Sequence, residues 1–115
     1  VDIEGPGKFA VEVVGVSQFQ SVLESAGEKG DTVEAMLFLE DSNPYDDQAV
    51  AVQINGQRAG YLSRANARAY RADLAAVGAP DCVVRCKAKI VGGFETKSGE
   101  RAHFGLKLDL PHLSA

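Results

Sequence analysis

Tyr45 and Asp46 lie next to each other in a polar segment, residues 40–48, that the pair Asn43-Pro44 marks as a loop. An aromatic ring can stack on a nucleobase. A carboxylate beside that ring can accept a hydrogen bond from a free hydroxyl, whereas it repels a terminal phosphate. Two structural alternatives stay open. Asp46 can cap the turn by accepting from the backbone N–H two residues further on, and Tyr45 can pack on the rim of the fold.

Three arginines recur on one face of a predicted helix, at spacings of four and three residues: Arg64, Arg68 and Arg71. Arg64 falls in the first turn, where backbone N–H groups and the positive end of the helix dipole favour an anion. This face is a candidate phosphate-binding surface. The alternative is an ordinary solvated helix face.

Other kinds of site lack support in the sequence. The acids of the loop, Glu40, Asp41, Asp46 and Asp47, do not have the alternating spacing and central glycine of a calcium loop. No motif fixes a serine or cysteine partner near His103 or His112 in sequence, so triad chemistry has no visible basis. We therefore expect no metal, no cofactor and no catalytic residue in this domain.

The two cysteines, Cys82 and Cys86, fall in a predicted strand and on the same face of it. Four residues of strand separate them by about 13 Å, which is too far for a disulfide. The histidines lie at no zinc-binding spacing from them. We expect both thiols to be small core side chains of a protein in a reducing compartment.

The elements that must position these residues follow from the hydrophobic pattern. Alternation and β-branched content predict strands, and spacings of three and four predict helices. The predicted strands are 8–14, 32–39, 49–54, 58–62, 82–91 and 102–110, and the predicted helices are 17–26 and about 64–77, with Ser63 as N-cap of the second. Asn55-Gly56 predicts a type I′ hairpin turn. Short connections and only two helices favour a small six-stranded antiparallel barrel, since a parallel sheet needs a helical crossover at each step.

Length and composition indicate one soluble globular domain. The chain has 115 residues, 45% of them hydrophobic and 24% charged, which leaves too little material for two separate cores. No apolar run reaches the roughly 18 residues of a membrane span, and the acidic start does not resemble a secretory signal. The chain begins without Met, so we expect a fragment of a longer protein.

Charge is distributed unevenly along the chain. Residues 1–57 carry 2 Lys/Arg and 11 Asp/Glu, whereas residues 58–115 carry 10 and 5. The two halves could each supply one polar face, or they could simply be solvated surface.

Three blocks carry a resemblance to a known family. They are Val13-Val14-Gly15 followed by Phe19, then the segment from Leu39 to Val52 that contains Asn43-Pro44-Tyr45-Asp46 and Ala49-Val50-Ala51-Val52, and then Gly60-Tyr61-Leu62-Ser63-Arg64. Together they resemble the HIRAN domain over residues 8–110, with residues 1–7 and 111–115 as tails. In the central block, Pro44, Asp46 and the strand that begins at Ala49 have fixed spacings from one another. This block is therefore the most specific of the three for the family.

The resemblance implies a fold and a function. HIRAN domains are similar to OB-fold barrels with added helices, and they occur beside helicase or nuclease modules or alone. The implied ligand is single-stranded DNA or a DNA 3′ end, and binding would target a larger repair or replication protein to its substrate. Tyr45 would stack on the terminal nucleotide, Asp46 would accept from the terminal hydroxyl, and Arg64 would contact phosphate. The implied compartment is the bacterial cytoplasm or the eukaryotic nucleus.

Further candidate contacts complete the predicted interface, and the sequence also departs from the family pattern. Where DNA-binding members have an arginine and two aromatics, this chain has Ser17, Gln18 and Phe19. The full set of predicted DNA-binding residues is Tyr45, Asp46, Arg64, Phe19, Tyr61, Arg68, Arg71 and Phe94, the last in the loop after the fifth strand. The alternative function is a protein interaction module that binds a peptide in the same groove.

Overall fold

An antiparallel sheet that closes on itself forms the centre of the structure. The computed structural model describes residues 2–28, 30–78, 83–92 and 104–111. The strands in these ranges are β1 (Val11–Val14), β2 (Thr32–Glu40), β3 (Ala49–Ile54), β4 (Gln57–Leu62), β5 (Val84–Gly92) and β6 (Phe104–Leu108). They pair in the order β1-β4-β3-β2-β5-β6, and β6 pairs with β1 to close the barrel. The predicted small six-stranded antiparallel barrel is confirmed.

Side chains that alternate along the strands fill the barrel. Leu37, Val52, Ile90 and Leu106 are fully buried and come from four different strands. Along β5 and β6 buried and more exposed residues alternate, as the two-residue period of a strand predicts, whereas β3 is buried on both faces. The core is therefore supplied by residues far apart in sequence, and the loops at the barrel ends are free to carry other side chains.

Two helices pack against this barrel. α1 (Gln20–Ala26) is shorter than the predicted helix 17–26, because residues Val16–Gln18 form a separate 3-10 turn and Phe19 leaves the helical region with a φ of −129°. α2 (Arg64–Ala76) begins where it was predicted. The Ser63 hydroxyl accepts from the Asn66 N–H at 3.2 Å, so Ser63 is the N-cap.

The hairpin between β3 and β4 is confirmed by its backbone angles. Asn55 and Gly56 have φ values of 53° and 77°. A type I′ turn requires positive φ at both central positions, and these two residue types tolerate it best. The hairpin sets the register that brings β4 and the start of α2 beside the loop before β3.

The first strand is shorter than predicted. β1 begins at Val11 and not at residue 8, since Phe9 has a positive φ of 47° that a strand cannot include. Residues 2–7, assigned to a tail from sequence, lie against the barrel. The Ile3 N–H donates to the Arg85 carbonyl at 2.8 Å, and the Gly7 N–H donates to both carboxylate oxygens of Asp109, at 2.9 and 3.1 Å.

Cys86 lies in the core with a free thiol, as predicted. Burial, and after it the charge of Asp109, raises the pKa of this thiol to about 12, so it stays protonated near neutral pH. Cys82 falls outside the described residues. In the described part of the chain, each helix is too short or too polar to cross a membrane.

Candidate nucleic-acid interface

The loop of residues 41–48 joins β2 to β3 and is held by its own side chains. The Asn43 side-chain oxygen accepts from the backbone N–H groups of Tyr45 at 2.8 Å and Asp46 at 3.2 Å. An Asp46 carboxylate oxygen in turn accepts from the Gln48 N–H at 3.0 Å. Asparagine and aspartate side chains commonly fold loops in this way. The proline and the two turn residues therefore fix the backbone around Tyr45.

The Tyr45 side chain points into solvent although its backbone is fixed. It is 89% exposed. The ring does not pack on the barrel rim, which removes one of the two alternatives for this residue. An immobilised backbone that presents a bare aromatic ring is suited to stacking on a flat ligand.

Asp46 combines the turn role with contacts to two arginines. Its carboxylate is 14% exposed and lies 3.3 Å from Arg68 Nη2 and 3.9 Å from Arg64 Nε. The hydrogen bond from the Gln48 N–H lowers the pKa of this carboxyl below its usual 3.8, and Arg68 and Arg64 lower it further while desolvation opposes them. Asp46 is consequently an ionised acceptor at neutral pH.

The predicted arginine face of α2 divides into two environments. Arg64 and Arg68 have side chains that are 76% and 51% exposed. Arg71 is only 15% exposed and is bonded to the loop. The helix therefore offers two accessible guanidinium groups beside Asp46, and the third arginine of the face supports the loop instead of facing solvent.

A depression of about 380 Å³ contains the predicted residues. It is lined by Tyr45, Asp46, Arg64 and Arg68, together with Asn43, Pro44 and Asp47. An aromatic ring, an ionised acceptor and two cations thus share one concave surface. These are the groups that a sugar terminus with an adjacent phosphate would need.

A second depression, of about 460 Å³, lies on the other side of the loop and contains Tyr61. The Arg58 guanidinium stands 5.5 Å from the centre of the Tyr61 ring and pairs with Glu40. Partial burial raises the pKa of the Tyr61 hydroxyl, and the Glu40 charge adds to this effect. Sequence reasoning missed Arg58 and Glu40, because they lie on β4 and β2 with β3 between them and no local spacing connects them.

Two of the predicted DNA contacts, Phe19 and Phe94, are not among the described residues that line the two depressions. Phe19 is partly buried between the 3-10 turn and α1, and it is not among the residues that line either depression. Phe94 lies outside the described residues. His103 and His112 also lie outside them.

Three of the four acids of the loop are paired with arginines. Glu40 pairs with Arg58, Asp41 with Arg71, and Asp46 with Arg68. Within the described residues no group of three or more His, Cys, Asp or Glu side chains could hold a metal ion.

The acidic half and the basic half of the sequence meet in ion pairs. Five ion pairs are present in the described residues, and each joins an acid from residues 1–57 to an arginine from residues 58–115. Three of the five connect the loop of residues 41–48 to α2.

A third depression, of about 470 Å³, lies elsewhere, between residues 2–7 and β5. Four acids, Asp2, Glu4, Glu34 and Asp109, line it with Arg85 and Lys87, and no aromatic ring does. Its excess of negative charge would oppose a phosphate ligand. The depression beside Tyr45 therefore has the side chains better suited to a nucleic-acid ligand.

In comparisons with known proteins, no family model, curated protein or solved structure matches this chain.

Proposed function

We propose that this chain is a HIRAN-type, non-catalytic module that binds single-stranded DNA or the 3′ end of a DNA strand. Its binding would bring a larger repair or replication protein, such as a fused or associated helicase or nuclease, to its substrate. The family assignment is supported by the sequence blocks around Asn43-Pro44-Tyr45-Asp46 and Gly60-Tyr61-Leu62. The binding site is the depression that Tyr45, Asp46, Arg64 and Arg68 share.

The observation that carries the proposal is the placement of Tyr45. A tyrosine that is 89% exposed on a rigid loop, beside an acceptor and two cations, has no role in the barrel core. Base stacking on such a ring is worth about 1–3 kcal/mol per base and does not depend on sequence. The ring would hold the terminal base while Asp46 accepts from the sugar hydroxyl.

The cationic side of the site supports the same ligand. Arg64 and Arg68 lie one turn apart on α2 and flank Asp46. The first turn of α2 also presents the positive end of its dipole. A phosphate one nucleotide before the strand end would meet both guanidinium groups, whereas a terminal phosphate would meet the Asp46 carboxylate.

The alternative is a module that binds a peptide. It is favoured by the net charge of −4 and by the depression that Pro44, Tyr45 and Tyr61 line. Salt distinguishes the two ligands, because phosphate binding weakens steeply as ionic strength rises and binding in an apolar groove does not.

A titration with the two matched Tyr45 variants tests the proposal. Labelled single-stranded oligonucleotides are titrated with wild type, Tyr45→Ala and Tyr45→Phe at two salt concentrations, with blunt duplex as the control ligand. Loss of one stacking contact predicts that Tyr45→Ala weakens single-strand binding at least about fivefold, while Tyr45→Phe binds like wild type. The thermal unfolding midpoint should not change, since the ring is exposed. Equal affinity of Tyr45→Ala and wild type would refute the stacking role.

A further inference from the structure

We infer that Arg71 is a positioning residue for the proposed binding site, which it serves by fixing the loop of residues 41–48 to α2 without touching the nucleic acid. The inference rests on the proposed function. It gives Arg71 a different role from Arg64 and Arg68, although all three lie on one face of the same helix.

The guanidinium of Arg71 makes three short contacts with the two ends of the loop. Nε donates to the Gln48 carbonyl at 2.8 Å and Nη2 donates to the Ala49 carbonyl at 2.9 Å. Nη1 donates to the Asp41 carboxylate at 2.8 Å. The planar fork of an arginine spreads its donors over three nitrogens, whereas a lysine has its three donors on one atom. With three of its five N–H donors engaged and 15% of the side chain exposed, Arg71 is poorly placed to meet a phosphate.

The residues that Arg71 holds are also those that hold Asp46. The Gln48 N–H donates to the Asp46 carboxylate at 3.0 Å, and the Ala49 N–H donates to the Asp46 carbonyl at 3.1 Å. Gln48 and Ala49 therefore bond Asp46 through their N–H groups and Arg71 through their carbonyls. This chain of contacts connects α2 to the acceptor of the site in the absence of ligand.

One helix thus sets both parts of the site. Arg64 and Arg68 project from α2 toward the ligand, and Arg71 ties the acceptor and the aromatic ring to the same helix. A loop that is already ordered loses less conformational entropy when it binds, so affinity is gained without any further contact. Removing Arg71 should release the loop and leave the number of phosphate contacts unchanged.

Two measurements on Arg71→Gln test this role, with Arg85→Gln as a control that removes the same charge from the exposed side of β5. In the free protein, amide hydrogen exchange at Gln48 and Ala49 should become faster in Arg71→Gln and stay unchanged in Arg85→Gln. In binding, Arg71→Gln should weaken capture of a 3′-hydroxyl single strand by about tenfold. The slope of log K against log salt should stay that of wild type, and Arg71→Lys should restore only part of the affinity.

The possible results separate the two proposals. If Arg71→Gln lowers the salt slope by about one, Arg71 contacts a phosphate and the positioning role is wrong. Unchanged exchange at Gln48 and Ala49 overturns it as well, whether or not DNA binds. If wild type binds no oligonucleotide, the proposed function fails, and the exchange result still decides whether Arg71 orders the loop. Should Arg71→Gln not fold, Asp41→Ala removes one of the three bonds. The same changes in hydrogen exchange and affinity are then expected, but smaller.

Discussion

Asp46 is the residue on which both the loop and the proposed selectivity depend. Its side chain closes a turn with the Gln48 N–H and at the same time faces Arg64 and Arg68. A carboxylate between two guanidinium groups reduces their attraction for phosphate while it offers an acceptor to a hydroxyl. Asp46 should therefore lower overall affinity for nucleic acid and raise the preference for one kind of strand end.

Replacing Asp46 with Asn separates these effects, with Asp73→Asn, at an exposed position on α2 outside the depression, as the matched control. Asp46→Asn removes the negative charge and keeps a side-chain oxygen that can close the turn. We predict that binding of a 3′-phosphate strand improves and that the ratio of affinities for the 3′-hydroxyl and 3′-phosphate strands falls toward one. Asp73→Asn should keep the wild-type ratio. The check is the ratio of the two dissociation constants for each variant, and an unchanged ratio in Asp46→Asn would remove Asp46 from recognition.

The same contacts fix how the preference depends on pH. Because the folded pKa of Asp46 lies below the usual 3.8, the carboxylate is ionised throughout the neutral and mildly acidic range. The stabilisation that its ion pairs contribute is complete above the unfolded pKa and is lost only as pH falls through the lower folded value. The affinity for a 3′-hydroxyl end should accordingly stay constant between about pH 8 and pH 5. A terminal phosphate gains a proton at about pH 6, so its repulsion by Asp46 should weaken over the same range.

The sequence identified some residues of the site and missed others for physical reasons. Tyr45, Asp46 and Arg64 could be predicted because short motifs fix their register to a turn and to a helix start. Arg58 and Glu40 could not, since a pairing across an intervening strand depends on sheet order. The bonds of Arg71 to the loop could not be predicted, because helical spacing shows which face a residue occupies and not what lies opposite that face.

The elements that position the site differ in how far sequence determines them. Asn55-Gly56 and Ser63 carry local signals, a positive-φ turn and a helix cap, and both were correctly predicted. The helix predicted over 17–26 failed at its start, because the apolar spacing continues through Phe19 while the backbone does not. Hydrophobic periodicity indicates which side chains face the core. It does not detect a break in the helical backbone, such as the one at Phe19, when the same face stays buried on both sides of the break.

The N-cap of α2 can be tested as one of the features that position the site. Ser63→Ala removes the bond to the Asn66 N–H and should lower the free energy of unfolding by about 1 kcal/mol. Ser25→Ala, at an exposed position on α1, is the control and should change stability by much less. Chemical denaturation of both variants measures the difference. A Ser63→Ala protein as stable as wild type would show that the cap does not secure the helix that carries Arg64 and Arg68.

At the scale of the whole molecule, the barrel mixes two oppositely charged halves. β1 lies between β4 and β6, and β2 lies between β3 and β5, so strands early and late in the chain alternate around part of the sheet. The class of fold follows from strand count and short connections, whereas this order depends on long-range pairings that no local pattern contains. The fold places acidic loop residues against basic helix residues, so that Arg64 and Arg68 share their depression with Asp46 and Asp47 on an acidic protein. Binding should therefore be modest in strength and selective for the end of a strand.

The most direct test of this account compares two oligonucleotides of the same sequence and length, one ending in a 3′ hydroxyl and the other in a 3′ phosphate. Each is titrated with the wild-type protein at a single, stated salt concentration. The account predicts tighter binding of the hydroxyl end, because the Asp46 carboxylate accepts from a hydroxyl and repels a phosphate. Equal affinity for the two ends, or tighter binding of the phosphate, would contradict it.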